Sequence, residues 1–344
     1  MALNALIVLL LVQGFGASRA AFDLTQHQAR LMDRGRFVRT AVQQDLLNAN
    51  GRLPCAPVEQ NSAQQGSTRV LNGSPWLRFD TAVWGIEAPG TGVGSRWRLA
   101  DDIGQATPAN QALPATIAER LDPQSDVLIA FHRQAQPSAE VILVDERGLT
   151  LTRSVDSRRC AIWLVSDCSQ TVIFQDARPR TRALQWTPGA CIPGNAPAQD
   201  SLGAATWPVL DHVAVYAWRA TAWFVGRNDH RQRVLYRASF RQGNDRVRVD
   251  EMVRGVETLQ VEYGVSRPAT PLRWHAASEV NHWPSVRAVR FGAVVSTEVK
   301  QPATGLASGR SLGVLSSKIQ WANAARWAVS FDGAQALYAQ NVGP

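Results

Sequence analysis

The sequence predicts an α+β fold, in which one long amino-terminal helix precedes a large, mainly antiparallel β-sheet. The helix is predicted because no proline occurs before Pro54 and because apolar residues recur at helical spacing as far as Leu46. The sheet is predicted because short apolar runs, separated by turn signals, follow one another after residue 125. No strand-helix-strand rhythm is visible, which argues against a parallel α/β sheet.

The first 18 residues, MALNALIVLLLVQGFGAS, carry no charge and include only Asn4, Gln13 and Ser18 as polar side chains. A helix of this composition is long enough to span, or nearly span, a bilayer. We therefore expect residues 1–22 to lie in lipid or against copies of similar helices. The residues expected to anchor this half are consecutive and apolar: Leu6, Ile7, Val8, Leu9, Leu10, Leu11 and Val12.

Residues 23–50 are predicted to continue the helix with one apolar face. That face contains Leu24, Leu31, Gly35, Val38, Val42 and Leu46, at steps of seven, four, three, four and four. The charged residues, Asp45 included, are expected on the remaining faces. A helix over residues 3–50 would be about 70 Å long, so we expect Leu31, Val38 and Val42 to pack it onto the domain formed by residues 51–344.

A cleaved secretory signal peptide is the alternative interpretation of the first segment. Ser18, Arg19 and Ala20 form a small-x-small cleavage site, although no basic residue precedes the apolar run. In that case the mature chain would begin with an ordinary helix and would retain no long apolar rod.

The strands are predicted mainly after residue 125, because residues 51–125 are rich in Pro, Gly, Gln and Ser and indicate loops with short strands. The predicted strands are 126–131, 141–144, 161–166, 171–174, 213–218, 222–225, 234–240, 259–265, 286–296 and 326–331. Within MVRGVETLQVEYGV, residues 252–265, apolar residues from Leu259 to Val265 alternate with polar ones, which predicts a half-buried strand. Gly255 ahead of it predicts a tight turn.

The composition describes a basic globular chain of 344 residues. It has 36 Lys and Arg against 28 Asp and Glu, a formal charge of +8, and 45% hydrophobic residues, enough for a large core. The arginines are scattered singly, which favours a solvated basic surface over a dedicated nucleic-acid site. Trp163, Trp218, Trp223 and Trp327 are predicted to pack in the core or on sheet faces. A secreted domain that binds carbohydrate, DNA or another anionic polymer remains an alternative.

The four cysteines, Cys55, Cys160, Cys168 and Cys191, are candidates for two disulfides, because they lack metal-site spacing and their number is even. If residues 161–166 form one extended strand, Cys160 and Cys168 lie about 25 Å apart. Each of them should therefore pair with Cys55 or Cys191. Four separate buried thiols would be expected only in a cytosolic protein.

No motif indicates an enzyme, a cofactor or a metal. The stretch PGTGVGSRW, residues 89–97, lacks the Lys-Ser/Thr of a phosphate loop and is typical of a hairpin tip. The six histidines show no metal-ligand spacing. The sequence therefore predicts no catalytic, cofactor-binding or metal-binding residues, and an enzyme whose site is built from unmarked residues is the alternative.

Four segments carry a resemblance to a known family. They are ARLMDRGRFVRTAVQQDLLNANG (29–51) followed by Pro54-Cys55, LVSDCSQTVIFQ (164–175), VLYRASF (234–240) and MVRGVETLQVEYGV (252–265). In this order they resemble the PilW family of minor pilins, which help to assemble type IV pili. The resemblance implies a pilin-like fold and a protein that works by assembly, without catalytic residues.

The resemblance also implies partners and a location. Before assembly, an anchor in the inner membrane would be surrounded by lipid and would carry a disulfide-bonded head in the periplasm. Afterwards, the protein would contact other minor pilins and the pilus machinery at the cell surface.

Pilin precursors carry a basic leader, a Gly-Phe-type cleavage site and an early Glu, and here Gly14-Phe15 follows the apolar run instead. Either the start codon was placed too far downstream, which is the explanation that we expect, or this copy cannot be processed normally. A minor pseudopilin of a type II secretion system is the nearest alternative.

Overall fold

The computed structural model of the protein describes most of the amino-terminal helix and the strands that follow it. The described residues are 2–49, 66–68, 78–79, 81–89, 91–92, 113–134, 136–145, 148–156, 159–167, 171–176, 178, 181–189, 191, 194–195, 212–240, 247–266, 271–298, 310–321 and 327–330. Of these, the backbone alone is described for residues 2, 5–10, 20, 24, 27, 66–68, 297–298, 310–321 and 327–330.

One long helix and sixteen strands make up most of the described structure, and the predicted α+β class is confirmed. The helix α1 runs over Ala2–Asn48, close to the predicted 3–50, and a one-turn helix α2 covers Ala115–Ala118. The strands are β1 (Gly66–Thr68), β2 (Val83–Ile86), β3 (Val127–Arg133), β4 (Ala139–Val144), β5 (Gly148–Val155), β6 (Ala161–Ser166), β7 (Thr171–Asp176), β8 (Thr181–Gln185), β9 (Ala214–Arg227), β10 (Arg233–Phe240), β11 (Val247–Arg254), β12 (Val256–Val265), β13 (Arg273–His275), β14 (Val286–Glu298), β15 (Arg310–Trp321) and β16 (Trp327–Ser330).

The strands form two sheets, where the sequence predicted one. The first sheet has eleven strands and is organised around β9, whose first half pairs with β6 and β4 and whose second half pairs with β3 and β10. The second sheet has the order β13-β12-β14-β15-β16. Among the described pairs, every one is antiparallel except β1 with β7.

Strand β3 shows how the first sheet separates two hydrophobic cores. Leu128 and Ala130 belong to the core that also contains α1 and the inner face of the second sheet. Ile129 and Phe131, which point the other way, belong to a core on the opposite face. Both faces of the first sheet are therefore buried here, which is why residues 127–131 form a continuous apolar run in the sequence.

The segment before β3 joins the two sheets. The backbone N–H of Asp126 donates to the carbonyl of Leu259 on β12, and the N–H of Leu259 donates to Ser125 Oγ. The N–H of Val261 donates to Asp126 Oδ2 at 2.7 Å. These contacts provide hydrogen-bond partners for the backbone of β12 beyond the point where its neighbour β13 ends. Ser125 and Asp126 thus take the place of a neighbouring strand along this part of β12.

The surroundings of Asp126 favour the protonated form of its carboxyl group. Burial raises its pKa to about 7, against the hydrogen bonds from Thr91 and Ala88 that lower it. Thr91 Oγ1 lies 2.6 Å from the carbonyl oxygen of Ala88 and 2.5 Å from Asp126 Oδ1. While Asp126 is ionised, the single hydroxyl proton of Thr91 is shared between these two oxygens; once Asp126 is protonated it can donate to Thr91, and Thr91 can then donate to Ala88.

Gly255 forms the turn between β11 and β12, as the sequence predicted. Its φ is +76°, a conformation that side-chain-bearing residues rarely adopt. An added Cβ would also lie 2.6 Å from the carbonyl oxygen of Ser296 and 2.8 Å from Arg34 Nη1. Glycine is required here for two separate reasons.

Three strand predictions need correction. Residues 213–218 and 222–225 belong to the single strand β9. Strands β5, β8, β11, β13 and β15 were not predicted, because polar residues interrupt their apolar pattern. Finally, β12 is not half-buried: Thr258 and Gln260 are as buried as Leu259 and Val261, so its alternation does not separate core from solvent.

A Gly255→Ala substitution tests the turn. We expect it to lower the free energy of unfolding by about 2–4 kcal/mol, because a strained φ is combined with a backbone clash. Gly189→Ala is the matched control, since Gly189 has φ +71° but nothing within 4 Å of its added Cβ, and it should cost only about 1 kcal/mol. Urea unfolding of both variants measures the difference, and equal losses would contradict the clash.

The pKa of Asp126 predicts an unusual pH dependence. Between its ordinary value of 3.8 and about 7 the folded protein holds a proton that the unfolded chain has lost. The contribution of Asp126 to stability therefore falls as the pH rises through this window, by at most about 1.4 kcal/mol per pH unit, and levels off above it.

Urea unfolding from pH 4 to pH 8 measures this slope. Asp126→Asn cannot titrate and should remove the Asp126 part of the slope, whatever its absolute stability. Asp33→Asn, at an exposed aspartate on α1, should leave the slope as it is. The interpretation fails if wild type and Asp126→Asn show the same pH dependence.

Candidate functional site: the dock of the N-terminal helix

Among the described residues, the helix α1 packs against the rest of the protein through its second half. Every side chain described from position 11 to position 26 is exposed. From Leu31 onward one face is buried, and it contains Leu31, Gly35, Val38, Val42, Asp45, Leu46 and Ala49. The sequence predicted that Leu31, Val38 and Val42 pack α1 onto the domain of residues 51–344, which we call the head. All three lie on this face.

The buried face of α1 fills the space between the two sheets. Its apolar side chains share one core with Leu128, Val225 and Leu235 of the first sheet and with Leu259 and Phe291 of the second. We call this surface the dock. Because α1 contacts both sheets, removing it would expose apolar surface on each of them.

Asp45 is the only charged residue on α1 that the described structure buries. The Arg237 guanidinium donates to both of its oxygens, from Nε to Oδ2 and from Nη2 to Oδ1, each at 2.8 Å. Trp223 Nε1 donates to Oδ2 at 2.9 Å, and the Arg237 guanidinium lies 5.8 Å from the centroid of the Trp223 ring. Because two hydrogen bonds from Arg237 and one from Trp223 meet at the same carboxylate, the orientation of the Asp45 side chain is well defined.

Arg34 provides a second polar contact between α1 and the head. Its Nη1 donates to the carbonyl oxygen of Ser296 on β14 at 2.6 Å. This contact passes over Gly255, where a side chain would obstruct it. Asp45 thus holds α1 to the first sheet, and Arg34 holds it to the second.

His132 on β3 lies close enough to Asp45 and Arg237 for their charges to affect its pKa. Burial lowers its pKa below the ordinary value, the negative charge of Asp45 acts in the opposite direction, and Arg237 and Arg219 add to the lowering. Its Nε2 lies 2.9 Å from Thr221 Oγ1. The ring is therefore neutral near pH 7 and adds no positive charge beside Arg237.

The helix α1 carries most of the exposed large apolar side chains of the described protein, and five of them are in its first half. Seven of the nine exposed large apolar side chains are on this helix: Leu3, Leu11, Val12, Phe15, Phe22, Met32 and Phe37. Leu11, Phe15 and Phe22 follow at steps of four and seven, so they share a face. A single copy of the chain leaves this face without contacts among the described residues.

The sequence predicted a membrane-spanning half in residues 1–22. Within the described part of the chain, no helix combines the length and the apolarity needed to cross a membrane. Of the predicted anchor residues, positions 6–10 have side chains outside the described set, whereas Leu11 and Val12 are both 64% exposed.

The cysteines and tryptophans are placed as follows. Cys160 is bonded to Cys191, with 5.6 Å between their Cα atoms, so it is not bonded to Cys168. Cys55 and Cys168 lie outside the described residues, as do most of the Gly-rich stretch 89–97 and the side chain of Trp327. Trp163, Trp218 and Trp223 are buried.

In the described part of the chain, no group of three or more His, Cys, Asp or Glu side chains could hold a metal ion.

The contact of Asp45 with Arg237 and Trp223 was missed from the sequence. Asp45 was expected on a solvent face, but it is 6% exposed. Its position three residues after Val42 and directly before Leu46, within the apolar face, was the available signal. Its partners lie 178 and 192 residues away in sequence, and no local pattern indicates a pairing at that separation.

The comparison with protein families bears on the region that receives the helix. The sequence model of the PilW family, Type IV Pilus-assembly protein W, matches residues 222–331. This segment includes β10, β11, the whole second sheet and the last six residues of β9, and with them most of the sheet side of the dock. No curated protein and no solved structure matches the chain.

The family match confirms the resemblance predicted from the sequence over that segment. It contains the segments 234–240 and 252–265, while 29–51 and 164–175 lie outside it. It relates the chain to type IV pilus assembly, and to a family of assembly proteins rather than enzymes.

Substitutions on α1 test the dock. Leu46→Ala should lower the free energy of unfolding by about 2–5 kcal/mol, because it leaves a cavity at a fully buried position. Gln44→Ala, two residues away on the exposed face, should change it by less than about 0.5 kcal/mol. Urea unfolding measures both, and a loss of similar size in the two variants would argue against a buried dock.

Proposed function

We propose that this protein is a minor pilin of the type IV pilus that takes part in pilus assembly or initiation. Its head is carried on α1, and the apolar first half of α1 contacts inner-membrane lipid before assembly and other pilin helices afterwards. Two findings support this: the family match over residues 222–331 and the division of α1 into a docked half and an exposed apolar half.

The exposed half of α1 is the observation that carries the proposal. Large apolar side chains such as Phe15, 82% exposed, and Phe22, 66% exposed, remain in contact with water when the chain is alone. Contiguous exposed apolar surface marks a site of association with another molecule or a membrane. Exchange of lipid contacts for helix contacts would let the subunit leave the bilayer without exposing this surface.

The head offers less support for binding an anionic polymer. Arg233, Arg237 and Arg290 each pair with an acidic residue, and so do the exposed Arg248 and Arg254. These pairs leave the formal net charge of +8 unchanged, because it already counts the 28 Asp and Glu, but they hold these five arginines against acidic side chains of the protein itself. Binding of DNA or of another polymer remains a prediction from composition alone.

Charged substitutions on the exposed face of α1 test the proposal. A charge placed between packed apolar helices or in lipid costs about 2.5–3.5 kcal/mol. Phe15→Asp and Phe22→Asp should therefore reduce incorporation of the protein into sheared pili roughly a hundredfold. Gln44→Asp places the same charge on the exposed side of the docked half and should have little effect.

The readouts are the amount of the protein in sheared pili and the number of pili per cell. Normal incorporation of Phe15→Asp and Phe22→Asp would overturn the proposal. If pili form normally while secretion by a type II system is lost, the protein is a pseudopilin instead. Membrane fractionation of the chain with and without residues 1–22 tests the anchor: an anchorless form that stays membrane-bound would contradict it.

A further inference from the structure

We infer that Asp45 is a positioning residue, which fixes the direction in which α1 leaves the head. Its contacts with Arg237 and Trp223 supply one fixed point, and the contact of Arg34 with Ser296 supplies the other. The inference rests on the proposed function, because the direction of α1 matters only if its free half is inserted among other helices.

The two polar contacts are placed so that they determine both rotation and tilt. Asp45 and Arg34 are eleven residues apart, about 16 Å along the axis and close to three full turns, so their side chains leave the same side of α1. Asp45 binds β9 and β10 of the first sheet, and Arg34 binds β14 of the second. Two points on one line, held to two different sheets, restrict rolling and pivoting of the helix.

The apolar part of the dock does not impose the same restriction. Burial of Val38, Val42 and Leu46 depends on the area removed from water and has no preferred direction. Small rotations of a stripe of aliphatic side chains keep most of that area buried. The Arg237 guanidinium, by contrast, accepts only a narrow range of positions of the carboxylate when both of its hydrogen bonds are kept.

Stability alone does not explain a carboxylate in this place. A buried ion pair loses hydration on both sides, and replacement by apolar residues of similar volume is often neutral or stabilising. The best-documented role of such groups is to select one arrangement among several of similar energy. On α1 the arrangement selected is the angle between helix and head.

A small change in this angle has a large effect at the free end of α1. Gln13 lies eighteen residues before Leu31, where burial begins, which is about 27 Å along the helix. A tilt of about 10° therefore moves Gln13 by about 5 Å. Such a displacement is large enough to be measured and to misplace a helix between neighbours spaced 8–10 Å apart, as is typical of packed helices.

The experiment measures the distance between α1 and the head. Bioorthogonal spin labels are placed at Gln13 and His230, both exposed, in the full-length chain in detergent, and pulsed electron resonance gives the distance distribution. The test variant is Asp45→Leu with Trp223→Phe, which keeps the dock apolar and leaves no unpaired indole N–H. Arg237, about one third exposed, can then turn to water.

We expect this variant to shift or broaden the distance distribution by about 5 Å while it remains folded, with a urea midpoint lowered by the smaller ring at the buried Trp223 position. Arg237→Lys keeps the charge but loses the bidentate contact, so it should broaden the distribution even if the double variant does not fold. Asp33→Leu, the same change at an exposed position of α1, should leave the distribution unchanged. Unchanged distributions in all folded variants would overturn the inference.

Counting pili in the same strains separates the inference from the proposed function. A changed distance together with fewer pili supports both. A changed distance with normal pili supports the positioning role and argues against the proposed function. An unchanged distance with fewer pili overturns the positioning role and leaves the proposed function standing.

Discussion

Burial of one face of α1 between the two sheets is the interaction on which the rest of the structure depends. The core that contains Leu31, Val38, Val42 and Leu46 also contains the inward side chains of β3, β9 and β10 and those of β12 and β14. Neither sheet covers this surface alone, and the helix closes the space between them. The function proposed for α1 outside the head therefore depends on the same element that completes the core of the head.

Polar groups buried at the junction give this apolar contact a defined geometry. Arg233 on β10 donates from Nε to Asp122 at 3.0 Å and from Nη1 to Glu257 on β12 at 2.9 Å. Glu257 in turn accepts a hydrogen bond from Ser296 on β14. Each of these groups is paired, as buried charges must be, and together they connect the first sheet to two strands of the second. The same Ser296 accepts the hydrogen bond from Arg34, so the network extends to α1.

The sequence predicts the parts of this structure that depend on local pattern. The limits of α1, the apolar face from Leu31 to Leu46 and the turn at Gly255 follow from helical spacing, the absence of proline and a single glycine. The division into two sheets could not be predicted, because it depends on strand pairing between distant segments. The alternation in β12 was misleading for the same reason: Thr258 and Gln260 are buried, and Thr258 Oγ1 donates to the carbonyl oxygen of Gln124, 134 residues away in sequence.

The candidate site shows the same limit at the level of single residues. Val38 and Val42 could be assigned to the dock because an apolar residue on an amphipathic helix has one obvious role. Asp45 could not, because a charged residue near such a face is usually solvated, and only its distant partners Trp223 and Arg237 make burial favourable. Patterns in one segment thus indicate that α1 packs on the head, while its angle to the head depends on groups that come together only in the folded protein.

The two halves of α1 differ in what the folded chain can do for them. From Leu31 onward, apolar burial and directional polar contacts hold the helix, so that half behaves as part of the head. Before Gln28, the described apolar side chains are exposed and are not covered by other described residues, although folding has fixed the backbone on which they are presented. Under the proposed function, contacts in the dock offset most of the entropy that α1 loses when it becomes ordered. Association of the free half with lipid or with other helices then requires less ordering, because the helical surface has already formed.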